Sequence, residues 1–127
     1  MKIHNLVASL DGLVRKAAED PRGRANVEFG LLNDYSLGLG RYVGTSPWER
    51  HRNGDELLYI LSGQVEVTLL RAGNEERDTI STGSFFVVPK DRWHQLSTPN
   101  GASIFYASPP ESGAERLRER PSDSNSN

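Results

Sequence analysis

The spacing of apolar residues changes period once along the chain. Over residues 9 to 20, SLDGLVRKAAED, the apolar positions Leu10, Leu13, Val14 and Ala17 recur as one face of a helix. Ser9 stands where a cap is wanted and Pro21 lies just past the end, so a single short helix is expected there. From Ala25 to Ser108 the period drops to two. Short runs rich in valine, isoleucine, tyrosine and phenylalanine are cut by glycine, proline and asparagine, the pattern of an all-β domain with many short strands. After residue 110 the sequence ESGAERLRERPSDSNSN offers only Ala114 and Leu117 as apolar residues, too few to repay the entropy of ordering. The expected organisation is an N-terminal segment with the helix (1–24), a β-domain (25–110) and a solvated, disordered tail (111–127), with at most a short helix near residues 113 to 120.

Within the β-domain the segment Trp48 to Leu70, WERHRNGDELLYILSGQVEVTLL, carries the densest chemistry. Asn53-Gly54 is a strong two-residue hairpin signal. With those two at the turn, Arg52 faces Asp55 and His51 faces Glu56, side by side on one face of the sheet. Alternation places Glu49 on that face too and sends Trp48 and Arg50 to the other. Beyond Glu56 the face continues through Leu58 and Ile60, turns at Ser62-Gly63 and returns through Val65, Val67 and Leu69. An exposed hairpin with a surface ion pair of His51 and Glu56 is the ordinary alternative, and such pairs contribute little. The apolar company of these residues argues instead for a core face, where an imidazole and two carboxylates need compensation such as a metal ion.

A second segment, Gly83 to Leu96, GSFFVVPKDRWHQL, reads as a strand over 84–88 stopped by Pro89, a polar bend, and a new strand opening near Trp93, with His94 and Leu96 on one face. Taken alone, a single histidine at a strand start is more often structural than a ligand. The 127 residues contain no cysteine, which excludes a disulfide framework and thiolate-bound metal and leaves histidine and carboxylate as the only strong ligands. Fifteen basic and 17 acidic residues are scattered to a net charge of −2, with no basic stripe for nucleic acid and no polybasic patch for a membrane. No run has the length of a membrane span or the uncharged core of a signal peptide, so a cytoplasmic protein is expected.

The two segments together resemble the paired motifs of the cupin superfamily. The first motif is met at His51, Glu56 and Gly63, with Gly44 one residue off the usual spacing. The second is met at Gly83, Pro89 and His94, although Asp91 stands where a glycine is usual and no terminal asparagine follows. The resemblance implies a double-stranded β-helix (jelly-roll) barrel holding one divalent metal ion, iron, manganese, zinc or nickel, on His51, Glu56 and His94. Glu49 replaces the first histidine of the family's His-x-His pair. It is either a fourth ligand, or an acid or base beside a triad of two histidines and one carboxylate. The second possibility leads to proton-transfer chemistry of the isomerase, cyclase or lyase kind, with dioxygenase chemistry close behind.

The expected function is that of a metal-dependent enzyme acting on a small organic molecule; a binding or sensing domain without turnover is the other reading. A homodimer is expected, because Leu57, Tyr59 and Leu61 form an apolar face opposite the ligands and cupins often pair. His4 is expected to be structural or solvent-facing. Trp48 and Trp93 either pack or shape the pocket mouth. Arg41, Arg50 and Arg92 are expected on the surface, with clamping of a substrate carboxylate as the alternative role. Gly38 and Gly40, in SLGLGRYVG, lack the surroundings of a dinucleotide fingerprint and are read as strand glycines that allow close packing.

Overall fold

The computed structural model describes residues 1–122. One helix, α1 (Leu6–Glu19), precedes eight strands: β1 (Ala25–Leu32), β2 (Tyr35–Thr45), β3 (Trp48–His51), β4 (Glu56–Arg71), β5 (Asn74–Ser81), β6 (Phe85–Val88), β7 (His94–Ser108) and β8 (Ala114–Leu117). The helix begins earlier than the apolar spacing suggests, because Asn5 is its cap: the Asn5 side chain accepts from the Ala8 amide at 2.9 Å. Ser9 lies inside the first turns, its hydroxyl donating back to the Asn5 carbonyl. Leu13 and Ala17, one turn apart, are buried against the sheet, whereas Val14 is exposed.

The strands form a curled antiparallel sheet in the order β1-β2-β7-β3-β8, with β4 also pairing β5, β6 and β7. This is the expected jelly-roll barrel. Its core is Leu58, Ile60, Val65, Val67, Ile80, Val88, Ala102 and Ile104. No turn interrupts β4 at Ser62-Gly63. The strand runs on through two register shifts, and Gly63 sits at the bend with φ +84, where a side chain would strike the Gly101 carbonyl. Beyond the bend the alternation holds, with Val65, Val67 and Leu69 packed on the core, while Leu70, of the opposite parity, is buried against Trp48 and Trp93.

Two further expectations are corrected. The Asn53-Gly54 hairpin does not form: β3 pairs with β7 and β8, while β4 pairs with β5, β6 and β7. A type I′ turn needs positive φ at both central residues, and Asn53 has none. Its amide instead donates to the Pro110 carbonyl and Ser112 hydroxyl of the C-terminal segment. The tight turn with two positive φ angles is Ala72-Gly73, between β4 and β5. The expected tail is not wholly unstructured either. Residues 111 to 113 make a 3-10 turn, and β8 pairs with all four residues of β3. The remainder of that expected tail, 123–127, lies outside the described residues. Among the described residues no helix is long and apolar enough to cross a membrane.

Candidate metal centre

Three strand ends meet at one end of the barrel. His51 closes β3, Glu56 opens β4 and His94 opens β7. The bend before β7 is pinned to β3, since the Asp91 amide donates to the His51 carbonyl at 2.9 Å. Asp91 adopts φ +63, the left-handed conformation for which the family motif uses glycine. Nε2 of His51 approaches Oε1 of Glu56 at 3.3 Å, and Nε2 of His94 approaches the same oxygen at 3.7 Å. Glu49 is the cross-strand partner of His94. One donor atom from each of Glu49, His51 and His94 lies within 4.8 Å of the others, so these three form a group able to hold a metal ion. His51 and Glu56 therefore converge as expected, across the short connection between two strands that pair with other partners and not through a hairpin ladder.

His51, Glu56 and His94 are buried, His94 fully, and Glu49 is half-buried, which removes the surface ion pair of His51 and Glu56 as an account of them. Nδ1 of His94 lies 3.0 Å from the Arg92 carbonyl oxygen. A carbonyl only accepts, so Nδ1 donates there, and Nε2 is the ring nitrogen that faces Glu56. Ser108 donates to Oε2 of Glu56 at 2.6 Å, and Arg116 donates to Oε2 of Glu49 at 2.6 Å. Hydrogen bonds of this kind fix the direction of a carboxylate, as they do where carboxylates ligate metals. Both ring nitrogens of His51 and Nε2 of His94 are nonetheless buried without a hydrogen bond. An unsatisfied buried group costs about 1–3 kcal/mol. A cation at the common point removes most of that cost. Two ligands about 2.1 Å from one ion and about 90–109° apart stand about 3.0–3.4 Å from each other, close to the separations found here.

Burial alone would raise the Glu56 carboxyl, but the His51 and His94 imidazoles beside it outweigh burial and hold it well below the usual carboxylate range. Burial likewise opposes the charged form of His51, and the Glu56 carboxylate overcomes it, raising the imidazole. The cluster thus holds an anionic carboxylate among imidazoles, the donor set that borderline divalent metals take.

The cupin-domain family model matches residues 42–104, about half of the chain, and spans all four clustered residues. The chain belongs to the cupin family. No curated protein matches it. A protein of Neisseria meningitidis superposes on this cupin with TM-score 0.66 at 21% identity, covering 86% of this chain and 100% of that one. A cupin-2 domain protein of Shewanella frigidimarina does so with TM-score 0.59 at 22% identity, over 68% and 80% of the respective chains. Oxalate oxidase in complex with the substrate analogue glycolate gives TM-score 0.60 at 18% identity, over 77% of this chain and 57% of that one. At these identities the likeness is one of fold.

In this cupin the cluster opens on a cavity of about 670 Å³ whose lining includes Glu49, His51 and Glu56 and the apolar Leu58, Leu96 and Ile104. Two phenols also face it, Tyr42 and Tyr106. Gly38 and Gly40 make room for them, since a Cβ at Gly38 would collide with the Tyr106 hydroxyl and one at Gly40 with that of Tyr42. Tyr106 donates to Asn26 at 2.6 Å. Burial raises both phenols, Tyr42 the more, so each keeps its proton. Neither tyrosine, nor Ser108 or Arg116, was legible as a site residue: Tyr106, Ser108 and Arg116 lie beyond the motifs, Tyr42 precedes Gly44 with nothing to set it apart from other strand aromatics, and only the glycine-x-glycine alternation hinted that something bulky crosses β2.

The residues weighed for the pocket mouth go elsewhere. Trp48 and Trp93 pack with Leu70 in a separate buried cluster. Arg50 and Arg92 are buried and not on the surface, Arg50 with its guanidinium 4.6 Å from the centre of the Trp93 ring and 2.7 Å from Glu115. Arg41 reaches the Ser62 and Ser103 hydroxyls. His4 is exposed, its ring 4.7 Å from that of Phe29.

Proposed function

We propose that this cupin is a metal-dependent enzyme that binds one divalent ion on His51, Glu56 and His94 with Glu49 beside them, and acts on a small organic molecule admitted to the cavity. The observation that carries the reading is the pair of buried imidazole Nε2 atoms, both without hydrogen bonds, that converge on one Glu56 oxygen. When bound, the metal would supply Lewis acidity toward a substrate oxygen. The chain's own residues do the rest. Leu58, Leu96 and Ile104 give the substrate a dry wall, and Tyr42 carries a protonated hydroxyl that can donate to it. Glu49 lies where the ligand cluster meets the cavity, so a substrate encounters it there, and it is the carboxylate placed to exchange a proton with that substrate. Isomerisation, cyclisation or elimination follows from such a pairing. Dioxygen chemistry is the second reading, favoured by the two-histidine, one-carboxylate donor set and in keeping with the fold shared with oxalate oxidase.

Elemental analysis of protein purified without an affinity tag tests the centre. About one divalent ion per chain is expected in the wild type, with loss in His51→Ala and His94→Ala. Equal metal in the wild type and both variants would refute the assignment.

A further inference from the structure

Strand β8 lies outside the cupin motifs, yet it delivers a charged side chain to the centre. Arg116 and His94 are the Cα partners of Glu49 on its two sides, so Arg116, Glu49 and His94 form one row across β8, β3 and β7, on one face of the sheet. Nε of Arg116 is 2.6 Å from Oε2 of Glu49, and its Nη1 is 2.6 Å from Glu111, so the guanidinium is held from two sides. Both Glu49 and Arg116 line the cavity. With Oε2 engaged, Oε1 is the Glu49 oxygen that makes no hydrogen bond among the described residues.

Resting on the metal reading above, we infer that Arg116 is a positioning residue of the centre: by holding Oε2 of Glu49 it presents Oε1 to the ion, and in the absence of substrate Glu49 is the fourth ligand. The guanidinium sets the carboxylate plane, as outer-sphere partners of ligating carboxylates do, and offsets its charge next to Glu56. A lysine at the same position keeps the charge but loses the fixed direction of the guanidinium.

The test titrates Co2+ into the full chain and follows affinity, the visible absorption of the ion and the melting temperature, in the wild type, Arg116→Met, Arg116→Lys, Glu49→Gln and the Glu49→Gln/Arg116→Met double variant. Loss of Arg116 to methionine is expected to weaken Co2+ binding about ten- to a hundredfold and to alter the spectrum. The lysine variant should recover part of both. Glu49→Gln should lose at least as much as Arg116→Met, and the double variant no more than Glu49→Gln, because Arg116 acts through Glu49. Wild-type affinity and spectrum in Arg116→Met, whatever its melting temperature, would reduce Arg116 to a structural ion pair and overturn the inference. Failure of the wild type itself to bind Co2+ is a different result, and overturns the metal centre as a whole.

Discussion

Ser108 tests the ligand set at a residue that does not itself touch the proposed ion. It ends β7, and its hydroxyl donates to Oε2 of Glu56 at 2.6 Å, while Oε1 of the same carboxylate faces His51 and His94. Glu56 is almost wholly buried, so its charge depends strongly on the few donors around it. A hydrogen bond to a charged group contributes about 1.5–3 kcal/mol. At about 1.4 kcal/mol for each tenfold change, Ser108→Ala should weaken metal binding about ten- to a hundredfold. Outer partners of metal ligands elsewhere show losses of the same size, about ten- to a hundredfold. Competition against a chromophoric chelator with Zn2+ measures this directly. Ser108→Thr keeps the hydroxyl and should bind within a fewfold of the wild type. An alanine variant as tight as the wild type would remove Glu56 from the ligand set, and a threonine variant as weak as alanine would trace the effect to packing and not to the donor.

The outer face should join two copies of the chain. Phe85 and Val87 are exposed there and pair across the ladder with Tyr59 and Leu57, so light scattering is expected to return a dimer mass that Phe85→Glu reduces to a monomer; a monomeric wild type at micromolar concentration would count against it. Acid should weaken the docking of β8 through Glu115, whose carboxyl the Arg52 and Arg50 guanidinium groups hold below its ordinary value of 4.5. A lowered carboxyl contributes stability that is present above that ordinary value and is lost as pH falls through the folded one. Melting temperatures of the wild type should therefore drop more steeply below about pH 4.5 than those of Glu115→Gln, and identical slopes would show that the pair adds nothing.

The parts of the structure that sequence exposed are those governed by local rules. Period-two alternation marks Leu58, Ile60, Val65 and Val67 as inward-facing, because a pleated strand has no other way to dispose successive side chains. It holds for Leu69 as well, but it does not announce that Leu70, on the opposite face, is buried too, because Trp48 and Trp93 cover it from segments that nothing nearby in sequence reveals. Asn53-Gly54 misleads for a related reason. Its hairpin preference amounts to a small local free energy, and the structure sets against it the pairing of β3 with β8, the Arg52 amide bonded to the Gly113 carbonyl and the Asn53 side chain bonded to Pro110 and Ser112. His51 and Glu56 still meet, since the short connection between β3 and β4 keeps its ends close whichever ladder each strand joins.

The C-terminal strand shows why low apolar content did not mean disorder. Residues 114 to 117 gain order from backbone pairing and from ion pairs whose partners, Arg50, Arg52 and Glu49, lie more than 60 positions away. Arg50 in particular is a buried cation packed on Trp93, and a buried charge without its counterion is costly, so Glu115 is required where it stands. The strand that Glu115 holds is also the strand that places Arg116 against Glu49. Anchoring and positioning are thus adjacent residues on opposite faces of β8: one satisfies the outer side of β3, the other its ligand-bearing side. A composition-based reading sees only a charged tail in ERLRER, because the carboxylates and guanidinium groups that this segment answers are visible only once β3 has been laid beside it.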